Sequence, residues 1–571
     1  MACALSHFLS VWCIAVAVET RPGECLKPIA IAATDLSSTA VVQLGMPKLR
    51  GVRRPPYPTG PLTLIVTIDA QLLAGCHLAL GWRMPERIID LKVEFHNDRS
   101  VARAMVGGLA GALAAAGQPA TMGLLSGTSP AQMRGRLDAV ARLFASKRDS
   151  LDLGRSLLRG RYLCAVARIE AAGLPVDGEL IKQLRMDWSK ILERVISNVD
   201  ESLGVYRGCR LDETAFSHVL ERHGIDWPHT ATGALTLDDA TFREMSRLHR
   251  VLCPIKQLRA TMIGFDPSAL AIGRDERNRT PLRPFASQTG RNQPRAKASV
   301  LGSAGWVRHL ILPAPGTGLA MLDWQQQEFG IAAALSGDGK MQAAYRSGDP
   351  YLALAVTAGA VPAGGTGSTH SHERERFKRC ALGLQYGIGR ARLARQLGIP
   401  ESVAAAMIDG HRSAFPRFWA WLDAVEMRAL ADREMRSVFG WRLPIDAATN
   451  PRSIRNFPMQ ANGAEMLRLA CCLMTEAGIR VCAPNHDAVV IEAPLADLDE
   501  VVSTAKRLMG EASTVVLGGF SLRASVRTVR GPDRWSEPKG QAMWSAVLAA
   551  LGKPPAHQRD ATCASASPRP I

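Results

Sequence analysis

The sequence lacks any Cys-x-x-Cys pair, any apolar run long enough to cross a membrane, and any internal repeat. Its twelve cysteines are scattered, which excludes the spacing of a zinc ribbon and the dense framework of a disulfide-stapled domain. The one adjacent pair, Cys471 and Cys472, sits in an apolar, helix-like stretch, the setting of buried reduced thiols in a cytoplasmic protein. The apolar opening MACALSHFLSVWCIAVAVE has no positively charged segment ahead of it and is shorter than a span, so it predicts a buried β-strand rather than a leader or an anchor. Acidic residues are also in short supply. Fifty-two Asp and Glu against 69 Lys and Arg leave a net charge of +17, which suits a polyanionic partner such as nucleic acid or an acidic membrane surface.

What is present is core-forming material: 47% hydrophobic and 21% charged residues describe a folded chain and not a disordered one. At 571 residues it exceeds what one core supports, and two to four units are expected. Residues 1–150 read as an α/β unit with β-like runs PLTLIVTI (61–68) and RIIDLKVEF (87–95), followed by an Ala/Gly-rich stretch from Met105 to Gly117. From Leu157 the texture changes to basic amphipathic helices with a turn at Gly173–Gly178. A Pro/Gly/Arg-rich segment, Asp275–Gly302, interrupts them before an α/β region that runs to about 530. The end, KPPAHQRDATCASASPRPI, reads as a solvated tail.

Three blocks carry chemistry. In LAMLDWQQQEFGIAAALSGD (319–338) an apolar strand ends at Asp323 and a helix follows; alone, such an aspartate is ordinarily a helix cap. In APNHDAVVIEAP (483–494) a second strand is opened by His486 and Asp487. If a shared sheet brings the two aspartates together, their repulsion calls for cations, and oxygen ligands of this kind favour Mg²⁺. That arrangement serves two-metal phosphoryl or nucleotidyl transfer. In HERERFKRCALGLQYGIGRARLARQLGIP (372–400), Arg374, Lys378, Leu382 and Tyr386 recur every four residues, one slowly drifting stripe on a helix. Two cations followed by an apolar and an aromatic surface suit a triphosphate and a base; the plainer reading is a solvated charged face above a core stripe.

Taken together and in order, these blocks resemble motifs A, B and C of family A DNA polymerases, the group of bacterial DNA polymerase I. DWQQQEFG is similar to the family's DYSQIELR, RERFKRCALGLQYG to its R-x-x-x-K-x-x-x-F/Y-G-x-x-Y-G helix, and NHDAV stands where V-H-D-E is usual. QTGRNQP (288–294) and NPRSIRNFPMQANGAEM (450–466) resemble two further family elements. The resemblance implies a multidomain α+β and α/β right-hand polymerase, its palm an antiparallel sheet, its fingers and thumb helical. An N-terminal ribonuclease H-like domain of 3′–5′ exonuclease type is expected at 1–150. It further implies thumb and the start of the palm at 151–300, palm at 301–345, fingers at 346–435, palm again at 436–532 and a C-terminal extension at 533–571. Asp323 and Asp487 would hold two Mg²⁺ ions. Arg374 and Lys378 would bind the incoming deoxynucleoside triphosphate, with Lys378 also placed as general acid; Leu382 and Tyr386 would border the nucleotide, and Glu328 would crowd its 2′ position. Arg291, Arg452, Asn456, Gln460 and His486 would touch the primer-template near the growing end, mainly from the minor groove. Arg159, Arg161 and Lys182 are candidate phosphate contacts of the thumb. The implied protein is a monomer with no membrane partner, acting in DNA replication or repair.

The departures are equally specific. Leu382 replaces an aromatic, Gly330 an arginine, Ala488 a carboxylate and Asn485 an apolar residue. The N-terminal unit lacks the D-x-E pair that proofreading needs on its first strand. Ala17-Val18-Glu19 is the nearest approach, and Asp69, Asp90 and Asp138 sit in no convincing motif. A degenerate exonuclease scaffold without effective proofreading is expected. The competing readings are a non-catalytic DNA-binding protein derived from a polymerase and a single-subunit RNA polymerase, which Glu328 disfavours.

Overall fold

The computed structural model describes residues 7–37, 41–98 and 127–553. The expected Ala/Gly-rich stretch and the tail from residue 554 onward lie outside them. The chain resolves into two compact units: Met1–Leu174 with Pro281–Pro294 and Gly316–Arg530, and Pro175–Thr280 with Arg295–Pro315 and the segment from Gly531. Residues 151–174, which the sequence grouped with the basic helical module, therefore lie in the first unit.

The first unit begins with a five-stranded sheet of β1 (Ser10–Glu19), β2 (Lys27–Asp35), β3 (Val41–Gly45), β4 (Thr63–Thr67) and β5 (Ile88–Asp90), in the order β3-β2-β1-β4-β5. β1 is antiparallel to β2 and parallel to β4, and β4 is parallel to β5. The apolar opening thus continues into a strand, as its composition predicts. TLIVT of β4 is buried throughout, the pattern of a central strand covered on both faces. The run read as β-like at 87–95 is only half a strand. Asp90 ends β5 and accepts from the Val93 amide at 2.9 Å, which starts helix α2 (Leu91–Asn97) in its place. Helix α1 (Ala70–Leu80) is capped by Asp69 and stopped by Gly81 at φ 66°. Helix α3 (Pro130–Lys147) opens on a Ser129/Gln132 capping box with proline at its first position. Helix α4 (Leu153–Ala172) packs against α1 and β5.

Arg159 lies on α4, buried against Glu94, with its Nη2 2.5 Å from Oε2. It is a core ion pair and not a phosphate contact. Arg161 is paired with Glu476 at 2.6 Å and Lys182 with Glu179 at 2.6 Å, both on the surface.

The rest of the first unit is a four-stranded antiparallel sheet wrapped by helices. β6 (Thr317–Trp324) is followed by α5 (Gln327–Ser336) and, after two shorter helices, by α6 (Ser371–Gln385). Three more helices lead to the short hairpin of β7 (Glu434–Arg436) and β8 (Arg442–Pro444) and then to the long α7 (Pro451–Glu476). β9 (Arg480–Asn485), β10 (Ala488–Pro494), helix α8 (Leu498–Val516) and β11 (Ala524–Arg530) complete it. The strand order is β9-β10-β6-β11, so β6 is central. α7 is buried along almost its whole length from Phe457 to Thr475, its apolar side chains and the polar Asn462, Glu465 and Arg468 alike. One apolar cluster runs from Ile14 and Ile65 through Tyr162 and Leu163 to Trp324, Phe329 and Ile491, joining the N-terminal sheet to the second one through α4. The second unit is mainly helical. Its long helix Gly178–Asp200 starts at Asp177, whose Oδ2 lies 2.5 Å from Nη2 of Arg534. No described helix is long and apolar enough to cross a membrane.

Candidate active site

β9 and β10 pair Asn485 with Ala488, leaving His486 and Asp487 as a two-residue loop. His486 takes a left-handed φ of 57°, a conformation that costs a non-glycine residue about 1 kcal/mol or more and is tolerated where the surrounding pairing enforces it. β10 is in turn registered on β6 with Ala488 opposite Asp323. The pairing delivers Asp487 to Asp323, and their carboxyl groups meet directly. Burial first, and then the Asp487 charge, lift the Asp323 carboxyl to about 7. Burial also raises Asp487, opposed by a backbone hydrogen bond and by Arg291. Asp323 Oδ1 is buried without a hydrogen-bond partner. Among the described residues neither carboxylate has a Lys, Arg or His within ion-pair distance.

Of the other predicted residues, Arg291 and Glu328 lie close enough to interact electrostatically with Asp487. Glu328, in the first turn of α5, lies 3.8 Å from the Arg291 guanidinium. Tyr386 meets the Glu328 carboxylate on one side and the Gln460 side chain on the other. Burial raises both Glu328 and Tyr386 above their ordinary values. His486 is exposed at the hairpin tip. Arg452, Asn456 and Gln460 form one stripe of α7 at four-residue spacing, and Asn456 Oδ1 is buried with no partner.

The motif-B stripe is less uniform than its spacing implies. Helix α6 ends at Gln385, so Tyr386 caps it instead of extending it. Arg374 is ion-paired with Asp349 and lies over the Tyr351 ring. Lys378 is half-exposed, with its nearest carboxylate Glu375 at 3.8 Å. Leu382 is half-buried against the core. The sequence reading missed Asp349, although an aspartate before Pro350 is the ordinary signature of a helix start. It also missed Gln326, which precedes α5 at φ 47° with Oε1 buried and unpartnered.

Two departures acquire physical reasons. A Cβ on Gly330 would lie 2.5 Å from Leu522 Cδ2 and 3.0 Å from Tyr345 Cε2, so the position read as a lost arginine is a tight packing point. Ala488 is 3% exposed, where a carboxylate would be buried beside two others.

Residues 300–537 match the family model of DNA polymerase family A. The match covers about two fifths of the chain. It is 24% identical over 409 residues to DNA polymerase I of Chloroflexus aurantiacus, a match covering 66% of this chain and 42% of that protein. It is 27% identical over 262 residues to the thermostable DNA polymerase I of Thermus thermophilus, covering 43% and 30%. To the DNA polymerase of Mycobacterium phage D29 it is 29% identical over 250 residues, covering 43% and 40%. The matches thus span less than half of these relatives. In fold it is similar to the POL domain of Pol1 from M. smegmatis, solved with DNA primer-template and dNTP: the TM-score is 0.73 at 18% identity, over 93% of this chain and 97% of that one. Of the candidate residues around the aspartate pair, all but Arg291 fall within the matched residues 300–537.

Proposed function

We propose that this chain is a DNA-directed DNA polymerase that extends a primer 3′ end with deoxynucleotides and releases pyrophosphate, in replication or repair. The observation that carries the reading is the two-residue hairpin loop that sets Asp487 against Asp323 beside Glu328, Tyr386 and Arg291. Two half-buried carboxyls in contact, one with an unpartnered oxygen and neither in an ion pair, fit divalent metal. Two Mg²⁺ ions held there would lower the charge repulsion, activate the attacking hydroxyl and stabilise the leaving phosphate. Asp323 and Asp487 are the proposed ligands.

Arg374 and Lys378 on α6 are the proposed triphosphate contacts. Arg374 already has Asp349 as counter-charge, which leaves Lys378 as the more available cation and the proposed proton donor to pyrophosphate. Leu382 and Tyr386 would border the incoming base. Glu328, held by Tyr386 and Arg291, would occupy the space of a 2′-hydroxyl and so select deoxynucleotides. Arg291, Arg452, Asn456, Gln460 and His486 would contact the primer-template, and the basic helices of the second unit would serve as thumb. The N-terminal sheet, with its strand order β3-β2-β1-β4-β5, supports a ribonuclease H-like scaffold. Its exonuclease chemistry is proposed to be lost: Glu19 is paired with Arg21 at 2.7 Å, Asp138 lies 3.4 Å from Arg134 on the surface, and Asp69 and Asp90 serve as helix caps.

Primer extension tests this with Mg²⁺, a recessed primer and either deoxy- or ribonucleotides. The parent chain extends with deoxynucleotides and Asp487→Ala does not; extension by the variant, or duplex binding by a parent that never extends, overturns the reading in favour of a DNA-binding protein without catalysis. Without nucleotides, trimming of a mismatched primer that depends on Glu19 or Asp69 would refute the loss of proofreading.

A further inference from the structure

We infer that Trp441 is a positioning residue for Arg291, and that the N-terminal region, through Asn97 of α2, holds Trp441 in place. The functional consequence rests on the polymerase reading; the brace itself does not.

Arg291 sits at the end of a tight loop. The Gly290 amide donates to Ser287 O at 3.0 Å and the Arg291 amide to Ser287 Oγ at 2.7 Å. Two side chains from elsewhere grip this loop. Trp441 Nε1 donates to Gln288 O at 3.1 Å, and Arg468 Nη1 donates to Gly290 O at 2.7 Å. The Trp441 ring also occupies the space beside Gly290, where a Cβ would lie 3.1 Å from Cδ1; with φ at 73°, only glycine serves there. Phe285 stacks on Trp441 with centroids 5.1 Å apart. The guanidinium of Arg291 emerges from this clamp toward Glu328.

Trp441 is 1% exposed and lies in the β7–β8 hairpin, which Asn97 fastens on both sides of it. Asn97 Nδ2 donates to Gly440 O at 3.3 Å, and the Arg442 amide donates to Asn97 Oδ1 at 2.9 Å. The His96 ring lies 5.5 Å from the Trp441 ring. The circuit then closes: the Trp441 amide donates to Ser437 Oγ at 2.9 Å, Ser437 donates to Glu465 at 2.6 Å, and Glu465 pairs with Arg468 at 2.7 Å. Every hydrogen bond in it is buried or nearly so, where an unmade partner is most costly. A domain stripped of nuclease ligands thereby keeps a mechanical role beside the site.

Trp441→Phe retains the ring against Gly290 and removes the donor to Gln288; Asn97→Ala removes the outer clamp without touching the loop. In both, amide hydrogen exchange over residues 287–291 is expected to quicken by about tenfold, the scale of one lost hydrogen bond, with the melting temperature little changed. Primer-template affinity, read by fluorescence anisotropy without nucleotides, should weaken about threefold in each. On an Arg291→Ala background neither substitution should weaken it further, because residues acting through one group do not add. Unchanged exchange in Trp441→Phe and Asn97→Ala, or losses that multiply independently of Arg291→Ala, would overturn the inference. Exchange needs no catalysis, so a parent chain unable to extend a primer would sink the polymerase reading alone.

Discussion

At the end of the N-terminal sheet, Asp69 and Asp90 flank the start of α1; at the end of the second sheet, Asp323 and Asp487 flank the start of α5. The first pair is satisfied from within. Asp69 accepts the Leu72 amide at 3.0 Å and pairs with Lys92 at 2.6 Å, while Asp90 accepts the amides of Ala70 at 2.7 Å and Val93 at 2.9 Å. The second pair is relieved only in part: a backbone hydrogen bond and Arg291 act on Asp487, while Asp323 keeps an unpartnered buried oxygen. Carboxylates supplied with backbone donors and a lysine stabilise a fold. Carboxylates left in contact are what the proposed cations would relieve, and perturbed carboxyls of this kind cluster at functional sites.

The largest contrast is expected in catalysis. Asp323→Ala or Asp487→Ala should lower primer extension by at least about 10³-fold, the scale of several kcal/mol of lost metal-mediated stabilisation. Asp69→Ala should leave the rate within about twofold; equal losses at both ends would erase the distinction. In stability the order reverses. Asp69→Ala should cost about 1–2 kcal/mol, as a lost helix cap plus a partly exposed ion pair, measurable by urea unfolding of the N-terminal region. Asp323→Asn should instead raise the melting temperature of the metal-free chain, by about 2 °C for ~1 kcal/mol of relieved repulsion. Added Mg²⁺ should then stabilise the parent and not the variant, and a melting temperature that falls in Asp323→Asn would count against a stored repulsion.

The last effect concerns pH. Burial lifts the Asp90 carboxyl from 3.8 to about 7, against the pull of Lys92. The native chain therefore keeps a proton that the unfolded chain releases near pH 4, and the stability from this group, complete below that pH, is lost as pH rises toward 7. Asp90→Asn should flatten that part of the stability profile. A profile that keeps its slope would place the titration elsewhere.

Local signals carried the reading far in some places and misled in others. The strand ending at Asp323, the strand after Asp487 and the Arg374 helix were legible because apolar runs and four-residue spacing report local geometry directly. Arg159 looked like a member of a basic face, yet its guanidinium is buried on Glu94, a partner 65 positions away. RIIDLKVEF looked like one strand because its apolar residues suit either period, and the cap at Asp90 decided for a helix. Gly330 looked like a lost charge until Leu522 and Tyr345 closed over it.

The amino-acid sequence by itself determined the kinds of groups available: two aspartates at strand ends, a cationic helix, a basic surplus, and an N-terminal strand without an aspartate. Those follow from composition and from periodicities that act within a few residues. Only the tertiary structure decided that Asp487 lies against Asp323, that Lys92 lies against Asp69, and that Trp441 lies beneath the loop of Arg291. Each is a meeting of distant segments, set by strand register and buried hydrogen bonds that no short stretch of chain contains.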